Sequence, residues 1–140
     1  MKVFITGLSG LLGSTMARFL INQGHEVVGI DNMIGGVEGN VPELATYIKG
    51  DILDVELMKE SMTGCEIVFH TAALPYEGLS VFSPMVTATS IVSGTIATAV
   101  AAIHNKVRLF INCSSMARYG NQTPPFTEDM QPAPVDPYGL

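Results

Sequence analysis

The chain has 140 residues, is 47% hydrophobic and only 14% charged, and carries a formal net charge of −6. This length suits one domain with a real core, and the acidic balance excludes a nucleic-acid backbone as its main partner. So few charges, against a usual share of about 25%, imply a surface covered in part by a partner or by further chain. Cys65 and Cys113 lack metal-like spacing. Both read as reduced, buried thiols, as expected in the cytoplasm. A strand begins within two residues of Met1 with no basic segment before it, which predicts no signal peptide.

Val3, Phe4 and Ile5 form a short run of strand formers, followed by Gly7, Gly10 and Gly13 in G-x-x-G-x-x-G spacing and then a periodic segment. Strand, glycine turn and helix in that order make a cradle for a pyrophosphate. Gly7 permits the turn, Gly10 lets the backbone approach the ligand, and Gly13 lets helix and strand pack closely. Leu12, Met16, Phe19 and Leu20 predict a helix over 11–23, stopped by Gly24. A second strand over 26–30 ends at Asp31. At that distance from the glycines, a carboxylate accepts hydrogen bonds from a ribose and repels a 2′-phosphate, which favours NAD over NADP.

Residues 33–45 read as an irregular loop and 46–49 as a third strand. Asp54 then caps a helix carrying Leu57, Met58 and Met62, stopped by Gly64. Residues 66–70 give a fourth strand, whose continuous apolar run suits a parallel strand buried on both faces. Thr71, Ala72 and Ala73 are small enough to let a flat cofactor lie on the backbone. His70 reads as a core histidine at a strand end, because no second metal ligand sits at a useful spacing.

Residues 78–105 contain no Asp, Glu, Lys or Arg. Pro84 and many Ser, Thr and Gly residues dilute this stretch below a typical spanning helix, so a soluble helix covered on most sides is expected, with no membrane partner. A fifth strand follows over 108–112. Strands alternating with helices predict a parallel, Rossmann-type doubly wound α/β sheet in the order 3-2-1-4-5. Five of the eight prolines then fall between Pro124 and Pro137, in a loop long enough to cover or shape a site.

In order along nearly the whole chain, seven segments resemble the motifs of the extended short-chain dehydrogenase/reductase family, in its NAD-dependent epimerase/dehydratase group. Thr6-Gly7-Leu8-Ser9-Gly10-Leu11-Leu12-Gly13 is similar to T-G-x-x-G-x-x-G, and Asp31-Asn32 to the NAD-selecting Asp-Asn. Gly50-Asp51-Ile52 matches the acidic position near the adenine, and His70-Thr71-Ala72-Ala73 is similar to H-x-A-A. Gly94-Thr95 matches the end of N-V-x-G-T. Ser114-Ser115-Met116-Ala117-Arg118-Tyr119-Gly120 is similar to S-S-x-x-x-Y-G, and Asp136-Pro137-Tyr138-Gly139 to the start of Y-x-x-x-K.

The resemblance implies an NAD-dependent nucleotide-sugar epimerase of the UDP-galactose 4-epimerase type. Tyr138 would be its acid/base group, and also a cofactor contact, while Ser115 would hydrogen-bond the reacting sugar oxygen. A UDP-sugar would be the substrate, and the uncharged helix near 84–105 would pair two copies as a homodimer. Ile91 stands where the family has asparagine, and the family lysine would fall at position 142, beyond Leu140. The resemblance therefore implies an NAD-binding domain over 1–140 that is incomplete at its C-terminus, lacking the sixth strand and the substrate domain, and inactive alone. The alternatives are an NAD-binding module or pseudoenzyme without turnover, and another NAD-dependent sugar-nucleotide-modifying member of the family. Met116 and Ala117 replace the Asp-Glu pair of family dehydratases, which removes the groups for water loss. Arg118 stays open between a diphosphate contact and an exposed loop arginine.

Overall fold

The computed structural model describes residues 1–140. Five strands, β1 (Lys2–Thr6), β2 (Glu26–Asp31), β3 (Thr46–Lys49), β4 (Ile67–His70) and β5 (Leu109–Asn112), form one sheet in the order β3-β2-β1-β4-β5. Every pairing is parallel, as the alternation of strands and helices predicts. Successive residues of a strand point to opposite faces, and both faces of this sheet are covered. Val3 and Ile5 pack with Leu8, Ala17, Leu20, Val27 and Ile67 on one side. Phe4 packs with Val28, Ile30, Met58, Met62, Val68, Ala101 and Ala102 on the other. Each large side chain buried in this way contributes about 1.5–3 kcal/mol relative to exposure.

Helix α1 (Leu11–Asn22) covers the first face and α2 (Val55–Ser61) the second. Asp54 caps α2 as expected, its carboxylate accepting from the Leu57 N–H at 3.1 Å. In α1 the inward stripe is Gly13, Ser14, Ala17 and Leu20, while Leu12 and Phe19 are exposed. Small residues face the sheet here because the helix lies close to it. Of the four apolar residues that mark the helical period, Leu12 and Phe19 are displaced outward, while Leu20 is buried and Met16 packs partly on the core.

The uncharged stretch contains a short helix that periodicity did not separate, α3 (Glu77–Phe82), then α4 (Pro84–Ala88), a π turn (Thr89–Ser93) and α5 (Gly94–His104). From Pro84 to His104 the helix is continuous, and by length and composition it could cross a membrane. One side of α5, with Gly94, Ala97, Thr98, Ala101 and Ala102, is buried against the chain. Val92, Ile96, Val100 and Ile103 are exposed. The chain itself covers this helix on one side only, not on most.

The two cysteines separate. Cys65 is buried, and burial pushes its thiol up to about 11. Cys113 is exposed, contrary to the expectation from its apolar surroundings. It follows β5, the edge strand of this sheet, whose residues are exposed or half-buried.

Candidate functional site

The strand register aligns the carboxyl ends of the sheet. Thr6 of β1 pairs with Ile30 of β2 and His70 of β4, and His70 pairs with Asn112 of β5. Segments leaving these ends therefore converge on one edge. The order of the sheet reverses between β1 and β4, the place where open α/β sheets bind ligands. A cavity of about 1150 Å³ lies there, larger than the roughly 300–1000 Å³ of ordinary small-molecule pockets.

Every residue given a catalytic or cofactor-contacting role from the sequence borders this one cavity. Gly7, Gly10, Leu11, Leu12 and Gly13 come from the turn after β1, Asp31 and Asn32 from the end of β2, and Asp51 and Ile52 from the segment after β3. Thr71, Ala72 and Ala73 follow β4, Ser115 follows β5, and Tyr138 comes from beyond the proline-rich loop.

The glycine turn is built to leave room. Gly7 has φ +71°, and a Cβ there would meet the Ala72 backbone nitrogen at 2.9 Å. A Cβ on Gly13 would overlap the Gly7 carbonyl oxygen. The turn is held from behind by Gly7 and Leu8, whose N–H groups donate to the Ile30 carbonyl at 2.8 and 3.2 Å. No side chain caps α1 at Gly10, so the free amides of its first turn are available to an anion.

The Asp31 carboxylate is buried and binds two loops at once. Its Oδ2 accepts from the Ser9 N–H at 3.0 Å and its Oδ1 from the Met33 N–H at 2.8 Å. Each oxygen keeps a lone pair for a further donor such as a ribose hydroxyl. Asn32 Nδ2 donates to Asp51 Oδ2 at 2.9 Å, and Asp51 Oδ1 accepts from the Leu53 N–H at 2.9 Å. Sequence reasoning passed over Gly36, where an added Cβ would overlap the Ser9 hydroxyl and stand 3.0 Å from Asp31 Oδ1. The Gly35-Gly36 pair was its signal. Ser9 Oγ is buried with no hydrogen-bond partner.

Behind the cavity, one hydroxyl ties three elements together. Thr6 Oγ1 accepts from the N–H groups of Thr71 and Ala72, both at 3.1 Å. Its own proton is thereby directed to His70 Nδ1 at 2.7 Å. His70 Nε2–H then donates to Thr95 Oγ1 at 3.0 Å, and Thr95 donates to the Ile91 carbonyl at 2.7 Å in the π turn. Burial lowers the His70 pKa to about 4, in agreement with this neutral tautomer. No group of three metal-ligating side chains is present.

Ser115 opens a tight turn, Met116–Tyr119, and its Oγ accepts from the Ala117 N–H at 3.2 Å. The Ser115 proton is left free to donate. The proline-rich loop packs onto this turn: the Ala133 N–H donates to the Arg118 carbonyl at 2.8 Å, and Gly139 lies against the Ala117 carbonyl. Asp136 Oδ1 accepts from the Gly139 N–H at 2.8 Å. Contact with the Asp136 carboxyl raises the Glu77 pKa, so α3 begins beside the segment carrying Tyr138. The loop shapes the cavity wall through Pro132 and Pro134.

A glycine cradle without Cβ atoms, a buried carboxylate with free lone pairs and small residues after β4 fit a dinucleotide. The fold is a Rossmann-type nucleotide-binding α/β domain. Residues 3–140 match the NAD dependent epimerase/dehydratase family, and the chain belongs to that family. It is 34% identical to a UDP-glucose 4-epimerase of Streptomyces lividans, over 99% of this chain and 43% of that protein. The structure of a UDP-glucose 4-epimerase from Thermotoga maritima, with UDP-glucose, is similar at TM-score 0.94 and 31% identity, covering 99% of this chain and 47% of that one. A UDP-glucose 4-epimerase from Stenotrophomonas maltophila, with bound NAD and formylated UDP-arabinopyranose, is similar at TM-score 0.93 and 31% identity, over 99% and 44%. The chain thus spans less than half the length of these relatives.

Proposed function

We propose that the chain binds NAD in this cavity and supplies the cofactor-binding half of a nucleotide-sugar 4-epimerase acting on a UDP-sugar. The carrying observation is that a single cavity borders the glycine cradle, Asp31, Ser115 and Tyr138. The amides of the first turn of α1 would hold the pyrophosphate, Asp31 the adenosine ribose, and Thr71, Ala72 and Ala73 a flat ring system. When bound, NAD supplies reversible hydride exchange with a secondary alcohol carbon. Tyr138 Oη takes and returns the proton of that alcohol, and the free proton of Ser115 Oγ holds its oxygen. In this reading residues 1–140 are an NAD-binding domain that works with a further substrate domain. The setting is cytoplasmic, with neither nucleic acid nor membrane as partner.

The cofactor test is a titration of the chain with NADH and with NADPH. NADH is expected to bind more tightly. Asp31→Asn is expected to weaken NADH by roughly ten- to hundredfold, the worth of about 1.5–3 kcal/mol for hydrogen bonds to a charged group. Equal binding of the two cofactors by the native chain would remove the proposed role of Asp31. The homodimer is part of the same reading, through the exposed side of the 84–105 helix. Light scattering at tens of micromolar is expected to give dimers or larger species, and a monodisperse monomer would refute that surface.

Ile91 favours a second reading, an NAD-binding module without turnover, because an aliphatic residue borders the cavity where the family has asparagine. NADH binding without epimerisation of UDP-glucose by the chain joined to a complete substrate domain supports the module. Turnover by that protein excludes it.

A further inference from the structure

We infer that Arg118 forms a subsite for an oxyanion of the substrate, at the β5 side of the cavity. The inference rests on the nucleotide-sugar reading of that cavity. Arg118 is the one Lys or Arg among the residues bordering it, where the acidic residues are Asp31 and Asp51. Its guanidinium stands 5.4 Å from the centroid of the Tyr119 ring, and that ring stacks on Phe126 at 5.1 Å. The side chain forms no salt bridge, the two in the chain being Lys2–Glu26 and Lys59–Glu56. The other two arginines bond their own chain, Arg18 to the Asn40 carbonyl and Arg108 to the Met1 sulfur. Arg118 is half-buried yet keeps its fork of N–H donors uncommitted, the geometry that receives a carboxylate or phosphate through two parallel bonds.

Its backbone is fixed. The Arg118 N–H donates to the Ser115 carbonyl at 3.3 Å, and its carbonyl accepts from the Ala133 N–H at 2.8 Å. The cation therefore shares one tight turn with Ser115. Its position also separates it from the cofactor's anion. The pyrophosphate cradle lies over β1 and the Asp31 carboxylate at the end of β2, whereas Arg118 follows β5. Two strand spacings of about 4.8 Å divide β1 from β5, or about 10 Å, and a third separates β2. The anion reaching Arg118 is then carried by the substrate, either in its diphosphate or as a carboxylate on its sugar.

The test compares the native chain with Arg118→Gln and Arg118→Lys, with NADH bound, titrated with UDP, UDP-glucose and UDP-glucuronate. Thermal melts report whether each variant is folded. Arg118→Gln is expected to lose roughly ten- to hundredfold in affinity for the anion it meets, with NADH affinity within twofold of native and Arg118→Lys intermediate. An equal loss for all three ligands assigns the diphosphate. A loss confined to UDP-glucuronate assigns the sugar carboxylate. Unchanged affinity for all three, parallel loss of NADH, or no binding of any of the three by the native chain overturns the subsite. If the native chain fails to bind NADH, the cofactor reading falls, and the UDP titrations still decide the role of Arg118.

Discussion

Gly13→Ala is expected to remove measurable NADH binding and to lower the melting temperature of the chain. The added Cβ would overlap the Gly7 carbonyl oxygen, and it would stand 2.9 Å from the Gly7 carbonyl carbon and 3.1 Å from Thr71 Oγ1. Neither side can yield easily. The Gly7 N–H is bonded to the Ile30 carbonyl at 2.8 Å, and its carbonyl accepts from the Gly10 N–H at 3.1 Å. Helix α1 must therefore back away from the turn, carrying with it the amides that face the anion. Overpacking of this kind costs about 1–3 kcal/mol, and more where backbone is displaced. Gly78→Ala serves as control, because nothing lies within 4 Å of its added Cβ and alanine is the better helix former. That variant should melt at or slightly above the native temperature with native NADH affinity. Native affinity in Gly13→Ala would remove the cradle from the cofactor site.

Acid should destabilise the fold through His70 by about 3 kcal/mol between pH 7 and pH 4. His70 is only 3% exposed, and burial holds its folded pKa at about 4, against about 6.5 for an unfolded chain. Between those values the unfolded chain binds the extra proton and the folded chain does not, so stability falls as pH falls. The contribution is complete above about pH 6.5 and is lost as pH drops towards 4. Geometry gives the same sign, since a second ring proton would confront the Thr6 hydroxyl proton aimed at Nδ1. Urea unfolding of the native chain and of His70→Gln at pH 7 and pH 4 measures the difference and cancels the shared effect of the carboxylates. Equal losses in the two proteins would show that His70 carries none of this dependence.

The sheet was legible because its central strands are buried on both faces. Val3-Phe4-Ile5 and Ile67-Val68-Phe69 are uninterrupted apolar runs, and the helices between them force parallel pairing. The cradle was legible because only glycine meets its steric demands. Three features were not legible, each for a physical reason. Periodicity marks where large apolar residues fall, while the inner face of α1 is defined by close approach and so by Gly13, Ser14 and Ala17. Cys113 carries the local composition of a strand, but its exposure depends on β5 standing at the edge. The π turn at Thr89–Ser93 and the separate α3 have no periodic signature, because the stretch is uncharged and mixes small polar with apolar residues on every side. The cavity's residues could be named one by one, and the hydrogen bonds that join them through Thr6, His70 and Thr95 required the fold.

The double attachment of Asp31 also bears on how this domain can evolve. Its two oxygens pin the Ser9 amide of one loop and the Met33 amide of another, and Gly36 is pressed against both Ser9 and Asp31. A lineage moving towards a dinucleotide with a 2′-phosphate would have to discard that carboxylate, and with it the clasp between two loops. A lone substitution at this position unfastens the site before it can admit the new phosphate. The path to a different cofactor thus runs through paired changes, with residues 33–41 rebuilt alongside position 31.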